Sequence, residues 1–328
     1  MDEEHSLLGP SALQRVLSCP QSFRLSQLPD AREVARRTSV HAARGTVAHA
    51  LAEELVKGKR ETQQGDQVVQ GGYLIEVDQA MDDAVQVYVD LARTLIATSS
   101  WWRAEQRVAL DDYWIDTKPP VSIFGTADFL AYREIDEHLT VVDYKHGSGV
   151  FVNVVDNPQA LAYAAGAMRL VPGPVQWVDI VIVQPNAPRQ EKIRRWSISA
   201  LDVLIWVDDV LIPGIARTIE EVPPIQDGAH CRFCPAAVIC PLLRARSEQA
   251  AQTAFAEHSH LYGVELADQL LIAERAELWI KAIREFAQNK LTEGETIPGW
   301  GLVPTRPTRS WDNQTAVWTI LHDCGVHD

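Results

Sequence analysis

Residues 122–147 read SIFGTADFLAYREIDEHLTVVDYKHG. Two runs rich in apolar and β-branched residues, 122–132 and 138–145, flank the polar REIDEH, so they read as two strands joined by a turn. Side chains alternate along a strand, which puts Asp143 and Lys145 on one face. A hairpin brings Asp128 of the first strand alongside. Two carboxylates and a lysine at one sheet edge suit a divalent cation with a fixed positive charge beside it, because Mg²⁺ takes oxygen ligands and keeps several waters. Bound metal lowers the pKa of its water, and a nearby lysine positions the nucleophile or stabilises negative charge. A lone Asp-x-Lys is more often a weak surface ion pair. Here LTVVDYK, residues 139–145, sets Asp143 at the end of a strand of buried character, and Gly125 and Gly147 allow close backbone approach.

The flanking elements extend this pair into a larger pattern. Upstream, residues 104–110 suggest another strand. Val77, Met81, Val85, Tyr88, Leu91 and Leu95 lie on one face of a helix over 77–98. Residues 57–72 are polar and glycine-bearing and read as a loop. A further helix fits 44–57, and Ser11-Ala-Leu-Gln14 has the form of a capping box for a short helix ending at Cys19-Pro20. Downstream, Asn157 caps and Pro158 opens a helix through NPQALAYAAGAMRL. VQWVDIVIVQ, residues 175–184, is a continuous apolar strand, and 193–198 suggest an edge strand. From residue 199 the pattern is mostly helical, including an amphipathic helix over 264–292. The middle therefore reads α, β, β, β, α, β. This predicts an α/β fold with a mixed central sheet covered by helices and helical additions at both ends. The expected division is 1–100 (helical, with the first core helix), 101–200 (core sheet and helix), 201–245 (helix and cysteines closing the core) and 246–328 (helical extension).

Two helices add polar side chains. His49 and Glu53 lie four apart on one helical face, as do Gln159 and Tyr163. Taken singly, each is an ordinary helical residue. In order along the chain, however, His49, Gly125-Thr-Ala-Asp128, Asp143-Tyr-Lys145 and Gln159-Ala-Leu-Ala-Tyr163 resemble the RecB-like branch of the PD-(D/E)xK nucleases, whose restriction-endonuclease-like core has the order αβββαβ. The resemblance covers about residues 10–245. It implies Asp128, Asp143 and His49 as ligands of Mg²⁺ or Mn²⁺, with the Tyr144 carbonyl as a further one. It implies Lys145 as the residue aligning the attacking water, and Gln159 and Tyr163 as contacts to the DNA backbone. Glu53 is an accessory candidate. The implied activity is metal-dependent hydrolysis of DNA phosphodiesters, of exonuclease type. A noncatalytic module binding DNA ends or a recombination partner is the alternative, and an interaction protein with a chance D-x-K match is a third reading.

Cys231-Arg-Phe-Cys234-Pro-Ala-Ala-Val-Ile-Cys240 is too dense for unrelated thiols. Closed zinc sites take four S or N ligands, and His230 could complete one locally. Iron–sulfur clusters usually take four cysteines. The resemblance favours the cluster. Iron–sulfur nucleases of AddB type and CRISPR-associated RecB-like enzymes carry one cysteine before the core and C-x₂-C-x₅-C after it, which implies a 4Fe–4S site on Cys19, Cys231, Cys234 and Cys240. Cys324 is left as a spare thiol. In the tail, Trp300, Arg306, Arg309 and Trp311 could stack on and pair with DNA, but a packed surface loop explains them as well.

The chain's 328 residues are 46% hydrophobic and 23% charged, ordinary values for a globular protein. The net charge of −14 argues against a nonspecific nucleic-acid coat. The charge is unevenly spread: residues 1–60 carry 9 basic and 7 acidic side chains, residues 61–143 carry 5 and 16, and residues 144–200 carry 6 and 3. A local basic groove is therefore compatible with the acidic total. The acidic N-terminus lacks a secretory pattern and no apolar run reaches membrane-spanning length, so a cytoplasmic protein without membrane partners is expected. The layout also resembles a phage- and prophage-associated family, which implies DNA recombination or replication and a partner protein from those processes.

Overall fold

The computed structural model describes residues 8–110, 122–187, 190–254 and 263–303. Arg306, Arg309, Trp311 and Cys324 lie outside the described residues. Three short helices come first: α1 (Pro10–Ser18), α2 (Gln21–Leu25) and α3 (Pro29–Arg36). The expected capping box is not used. Pro10 occupies the first turn of α1 and Gly9 is its N-cap without a side-chain hydrogen bond, because proline's fixed φ already suits that position. Helix α4 (Val40–Val56) starts earlier than expected, where Ser39 accepts a hydrogen bond from the Ala42 amide.

The stretch expected to be loop contains a hairpin, β1 (Gln67–Gln70) with β2 (Tyr73–Glu76). Gly71 and Gly72 turn it with φ of 56° and 82°, the left-handed pair that glycine adopts without strain. Helix α5 (Gln79–Thr98) follows, capped by Asp78. Then come β3 (Trp101–Ala109), β4 (Phe124–Arg133), β5 (His138–Tyr144), α6 (Pro158–Ala167), β6 (Trp177–Val183) and β7 (Ile193–Ser199). The element order α5-β3-β4-β5-α6-β6 is the expected αβββαβ core. The described residues form a five-stranded mixed sheet in the order β3-β4-β5-β6-β7, in which only β5 and β6 run parallel. Parallel neighbours need a crossover, and α6 supplies it.

Alternation along the strands fixes the layers. Leu130, Val141, Ile180 and Ile182 face a core with α1 and α6. Phe129, Ala131, Val142, Val181 and Val183 face the opposite core with α4 and α5. Each fully buried aliphatic side chain contributes about 1.5–3 kcal/mol, so a one-residue slip of any central strand would reverse both faces at once. Beyond the sheet lie α7 (Ala200–Trp206), α8 (Ile212–Ala216), α9 (Pro241–Ala254) and α10 (Gly263–Thr292), with 3₁₀ turns through the cysteine segment. The chain divides into a compact unit of residues 1–282 and a second unit of residues 283–328. No helix among the described residues is long and apolar enough to cross a membrane.

The two glycines expected to permit close approach differ. A Cβ at Gly147 would meet nothing within 4 Å, whereas one at Gly125 would lie 2.8 Å from Pro10 Cδ and 3.3 Å from Tyr163 Cε1. Gly125 is where α1 and α6 both reach the sheet. Gly125→Ala should therefore destabilise the protein by about 1–3 kcal/mol through overpacking, seen as a lower thermal midpoint, while Gly147→Ala should change it little. Equal midpoints for the two variants would show that the α1 contact is not part of the stable core.

Candidate active site

The pairing of β4 with β5 carries Phe129 opposite Val142 and Leu130 opposite Val141. Continued by one residue, the same register sets Asp128 across from Asp143. Asp128 accepts a hydrogen bond from the Tyr144 amide at 2.6 Å, which ties its carboxylate to the end of β5. Asp143 is buried, at 3% exposure. Lys145 Nζ lies 3.0 Å from both of its oxygens. Only the contact to Oδ1 has hydrogen-bond geometry, so the buried Oδ2 is left without a hydrogen bond. A buried carboxylate oxygen with no donor is costly unless something else approaches it.

Lys145 is fixed from a second side. It donates to Gln159 Oε1 at 3.0 Å, and Gln159 Nε2 in turn donates to Tyr163 Oη at 3.4 Å. Asn157 accepts from the Ala160 amide and starts the helix that presents both residues. Tyr163 is mostly buried, so the structure places this pair against the lysine. Burial disfavours the charged lysine, yet Asp143 and Asp128 outweigh it and raise its pKa. Burial pushes the Asp143 carboxyl up and Asp128 adds to this, while Lys145 opposes it; the net direction is upward.

His49 reaches the same place from α4, with Nδ1 3.5 Å from Asp128 Oδ1 and its ring edge-on to Tyr144 at 5.2 Å. Burial works against its protonation, but the hydrogen bond and charge of Asp128, with Glu105 and Asp143, raise its pKa above the ordinary value. Glu53, one turn further along, pairs with Lys57.

Glu105 completes the site and was not expected from the sequence. Ala104 pairs with Phe129 and Gln106 with Ala127, so Glu105 stands opposite Asp128. Its φ is 49°, a left-handed conformation that costs a non-glycine residue about 1–2 kcal/mol. Ligand atoms of His49, Glu105 and Asp128 lie within 4.8 Å of one another. Burial, and then the charge of Asp128, push the Glu105 pKa to about 7. In sequence Glu105 is one charged residue in an alternating edge strand. Its φ and its partner across the ladder become visible only in the fold.

Among the described residues, His49, Glu105 and Asp128 form the group whose ligand atoms lie close enough to share one ion, and Asp143 stands outside that group with one buried oxygen lacking a hydrogen bond. Carboxylates with an imidazole suit a divalent cation of oxygen preference.

The four cysteines come together away from this site. Cys19 ends α1 and its Sγ accepts a hydrogen bond from the Gln226 amide at 3.4 Å. Cys231, Cys234 and Cys240 punctuate two 3₁₀ turns. All four thiols are free. Burial, the largest cause, raises the pKa of Cys231 and Cys240, and neighbouring sulfurs including Cys19 add to it. Cys234 is pushed to about 11, first by burial. Any metal bound there must displace protons. His230 uses Nε2 on the Gln226 carbonyl at 3.1 Å.

Residues 5–328 match the family described as "Protein of unknown function (DUF2800)". Among solved structures, a candidate exonuclease from Eubacterium rectale is similar at 10% identity and TM-score 0.39, covering 80% of this chain and 91% of that one. The structure named SSO0001 is similar at 13% identity and TM-score 0.38, over 74% and 88%. An alkaline exonuclease from Laribacter hongkongensis is similar at 16% identity and TM-score 0.22, over 61% and 93%. Such low scores leave the chemistry of the site to the chain's own residues.

Glu105 gives the site a pH signature. Its pKa is raised from 4.5 to about 7 on folding. Its contribution to stability is therefore fully present below about 4.5 and is lost as pH rises through about 7. In chelator, Glu105→Gln should melt higher than the parent at pH 8 and nearly with it at pH 5. A difference independent of pH would show that Glu105 does not titrate in this window.

Proposed function

The chain belongs to the DUF2800 family, and from the site we propose that it is a divalent-metal-dependent deoxyribonuclease of exonuclease type. One observation carries the reading: Asp128 and Asp143 meet at the ends of neighbouring strands, beside an ammonium group locked between Asp143 and Gln159. A surface ion pair would need neither the burial of Asp143 nor the second tether on Lys145. Mg²⁺ or Mn²⁺ would be held by Asp128, Asp143, His49 and Glu105, with the Tyr144 carbonyl as a further ligand. When bound, it would supply an acidified water and offset charge on the phosphate.

The residues of the chain do the rest. Lys145 donates to the attacking water oxygen and orients it toward phosphorus. Gln159 keeps that ammonium in place, and Tyr163 orients Gln159. As the water oxygen bonds to phosphorus it gives up a proton to solvent, the bond to the leaving sugar oxygen breaks in line, and that oxygen takes a proton from solvent to leave as the hydroxyl. The ammonium also stabilises the negative charge that grows on the phosphoryl oxygens, and fixed donors in a dry site are worth far more there than in water. Gln159 and Tyr163 also border the path of the DNA backbone. The setting we propose, phage-type DNA recombination, replication or repair with a partner protein from those processes, rests on the resemblance in sequence layout.

We further propose that Cys19, Cys231, Cys234 and Cys240 hold a 4Fe–4S cluster, whose chemistry here would be structural cross-linking. Zinc would draw thiolates to a tetrahedron with edges of about 3.8 Å, given bonds of about 2.3 Å. The amide donated to Cys19 Sγ and the cationic influence of Arg15 on Cys234 and of Arg275 on Cys231 suit an anionic group.

Asp143→Asn and Lys145→Ala should each lower cleavage of linear DNA by at least about 10²-fold in Mg²⁺ or Mn²⁺, with little change in circular dichroism. EDTA should abolish cleavage, and covalently closed circles should survive the parent enzyme. Parent-like turnover in both variants would remove the active-site assignment.

Cys19→Ser should lose iron and sulfide as fully as Cys234→Ser, along with the broad absorption near about 400 nm of anaerobically purified protein. It should also lower the thermal midpoint, since metal-binding free energy becomes folding free energy. One equivalent of zinc without sulfide would replace the cluster with a zinc site.

A further inference from the structure

Lys145 lies one residue past the end of β5. Its amide donates to the Val183 carbonyl at 2.8 Å, and there the ladder with β6 stops. Residues 146–152 follow, and they include Gly147 and Gly149, whose backbones are the least restricted of any residue type. Among the described residues, no amide or carbonyl of residues 146–152 bonds to another backbone group. What holds this segment must therefore come from side chains.

Three side chains from the end of β6 and the start of β7 supply that hold. Gln184 is 2% exposed. Its Nε2 donates to the carbonyls of Gly147 at 3.0 Å and Val150 at 2.7 Å. Its Oε1 accepts from the Val152 amide at 3.2 Å and from Arg194 Nη2 at 2.8 Å. Both donors and both acceptor sites of the side-chain amide are then in use. Arg194 also donates to the Val152 carbonyl at 3.1 Å. Asn186 Nδ2 donates to the His146 carbonyl at 2.7 Å. The backbone amide of Gln184 is itself anchored on the Lys192 carbonyl at 2.8 Å. Lys145 is thus held on both sides, by its own amide before and through His146 and Gly147 after.

Resting on the nuclease reading, we infer that Gln184 and Asn186 are positioning residues for Lys145, acting through the backbone that aims its ammonium. The two partners of that ammonium, Asp143 and Gln159, lie on different elements. A shift of the lysine backbone would lengthen one contact or the other, and a misplacement of about 1 Å can cost about 10²-fold in rate. A mere connection between β5 and α6 could leave these backbone groups to water.

The test uses the full-length protein. Gln184→Glu keeps the shape and the acceptors but cannot donate to Gly147 and Val150, and Asn186→Ala alters a half-buried position. Each should lower kcat on linear DNA at least about 10-fold with KM within about 2-fold, the pattern of an interaction that counts only in the transition state. In a Lys145→Ala background each should change the remaining rate by less than about 2-fold, because residues that act through one group are not additive. Circular dichroism checks the fold, and if Gln184→Glu does not fold, Asn186→Ala decides alone.

The hold itself is read without catalysis. Phe151 lies inside the segment and is exposed. In EDTA, chymotryptic cleavage after Phe151, identified by mass, should speed at least about 5-fold in Gln184→Glu, as local opening becomes easier. Parent-like kcat, an undiminished loss in the Lys145→Ala background, or unchanged cleavage after Phe151 would each overturn the positioning role. If Asp143→Asn is inactive while Gln184→Glu and Asn186→Ala turn over like the parent, the nuclease stands and only the positioning role falls. If Asp143→Asn cleaves DNA like the parent, the nuclease reading fails and the positioning role falls with it.

Discussion

The antiparallel pairing of β4 with β5 is the constraint on which the site depends. It sets Asp128 across from Asp143, and the Tyr144 amide then holds the Asp128 carboxylate in place. Two carboxylates this close repel, and burial raises the penalty. The arrangement persists because Lys145 supplies positive charge to Asp143 and the His49 ring lies against Asp128. Polar groups under such tension are stable only when packing over-determines their positions, and here both layers do so. Helix α6 presents Gln159 to the lysine from one face, while α4 presents His49 from the other.

The packing of the sheet makes this possible. Alternate side chains of β4, β5 and β6 serve two separate cores, so the strand ends are fixed relative to both helical layers. The polar site occupies the end of the sheet where those layers meet. Gly125 lets α1 and α6 approach the strand that carries Asp128. The left-handed Glu105, on the edge strand, is the one residue of β3 whose backbone departs from the pleat. Strain of this kind survives where neighbouring contacts enforce it, and it gathers at functional sites.

A centre on the four cysteines, as proposed, would add a second constraint at long range. Cys19 lies before the core and Cys231–Cys240 after it, so a shared centre would close a loop of more than two hundred residues. Closure of so long a loop removes much freedom from the unfolded chain. The four cysteines and the candidate active site use different residues and different elements. Loss of the proposed centre would therefore lower the stability of the scaffold without removing any residue of the candidate active site.

Much of the fold was legible in the sequence because it depends on local periodicity. Apolar runs rich in β-branched residues marked β4, β5 and β6, Asn157-Pro158 marked the start of α6, and the D-x-K spacing put Asp143 and Lys145 on one face. The β1–β2 hairpin was passed over although Gly71-Gly72 carried its signal, because its strands are four residues each and only Val68 and Ile75 turn to the core while Val69 and Leu74 stay exposed. The capping box at Ser11 was legible but wrong, since Pro10 had already set the helix start. Only tertiary structure decided the rest. Glu105 becomes a site residue through the register of β3 against β4 and a single φ angle, neither of which leaves a periodic trace. Gln159 becomes the tether of Lys145 because elements distant in sequence are brought together. The sequence by itself determined which faces are apolar and which carry charge; the side chains that share a site were decided by strand pairing, because register and crossing are properties of contacts and not of spacing.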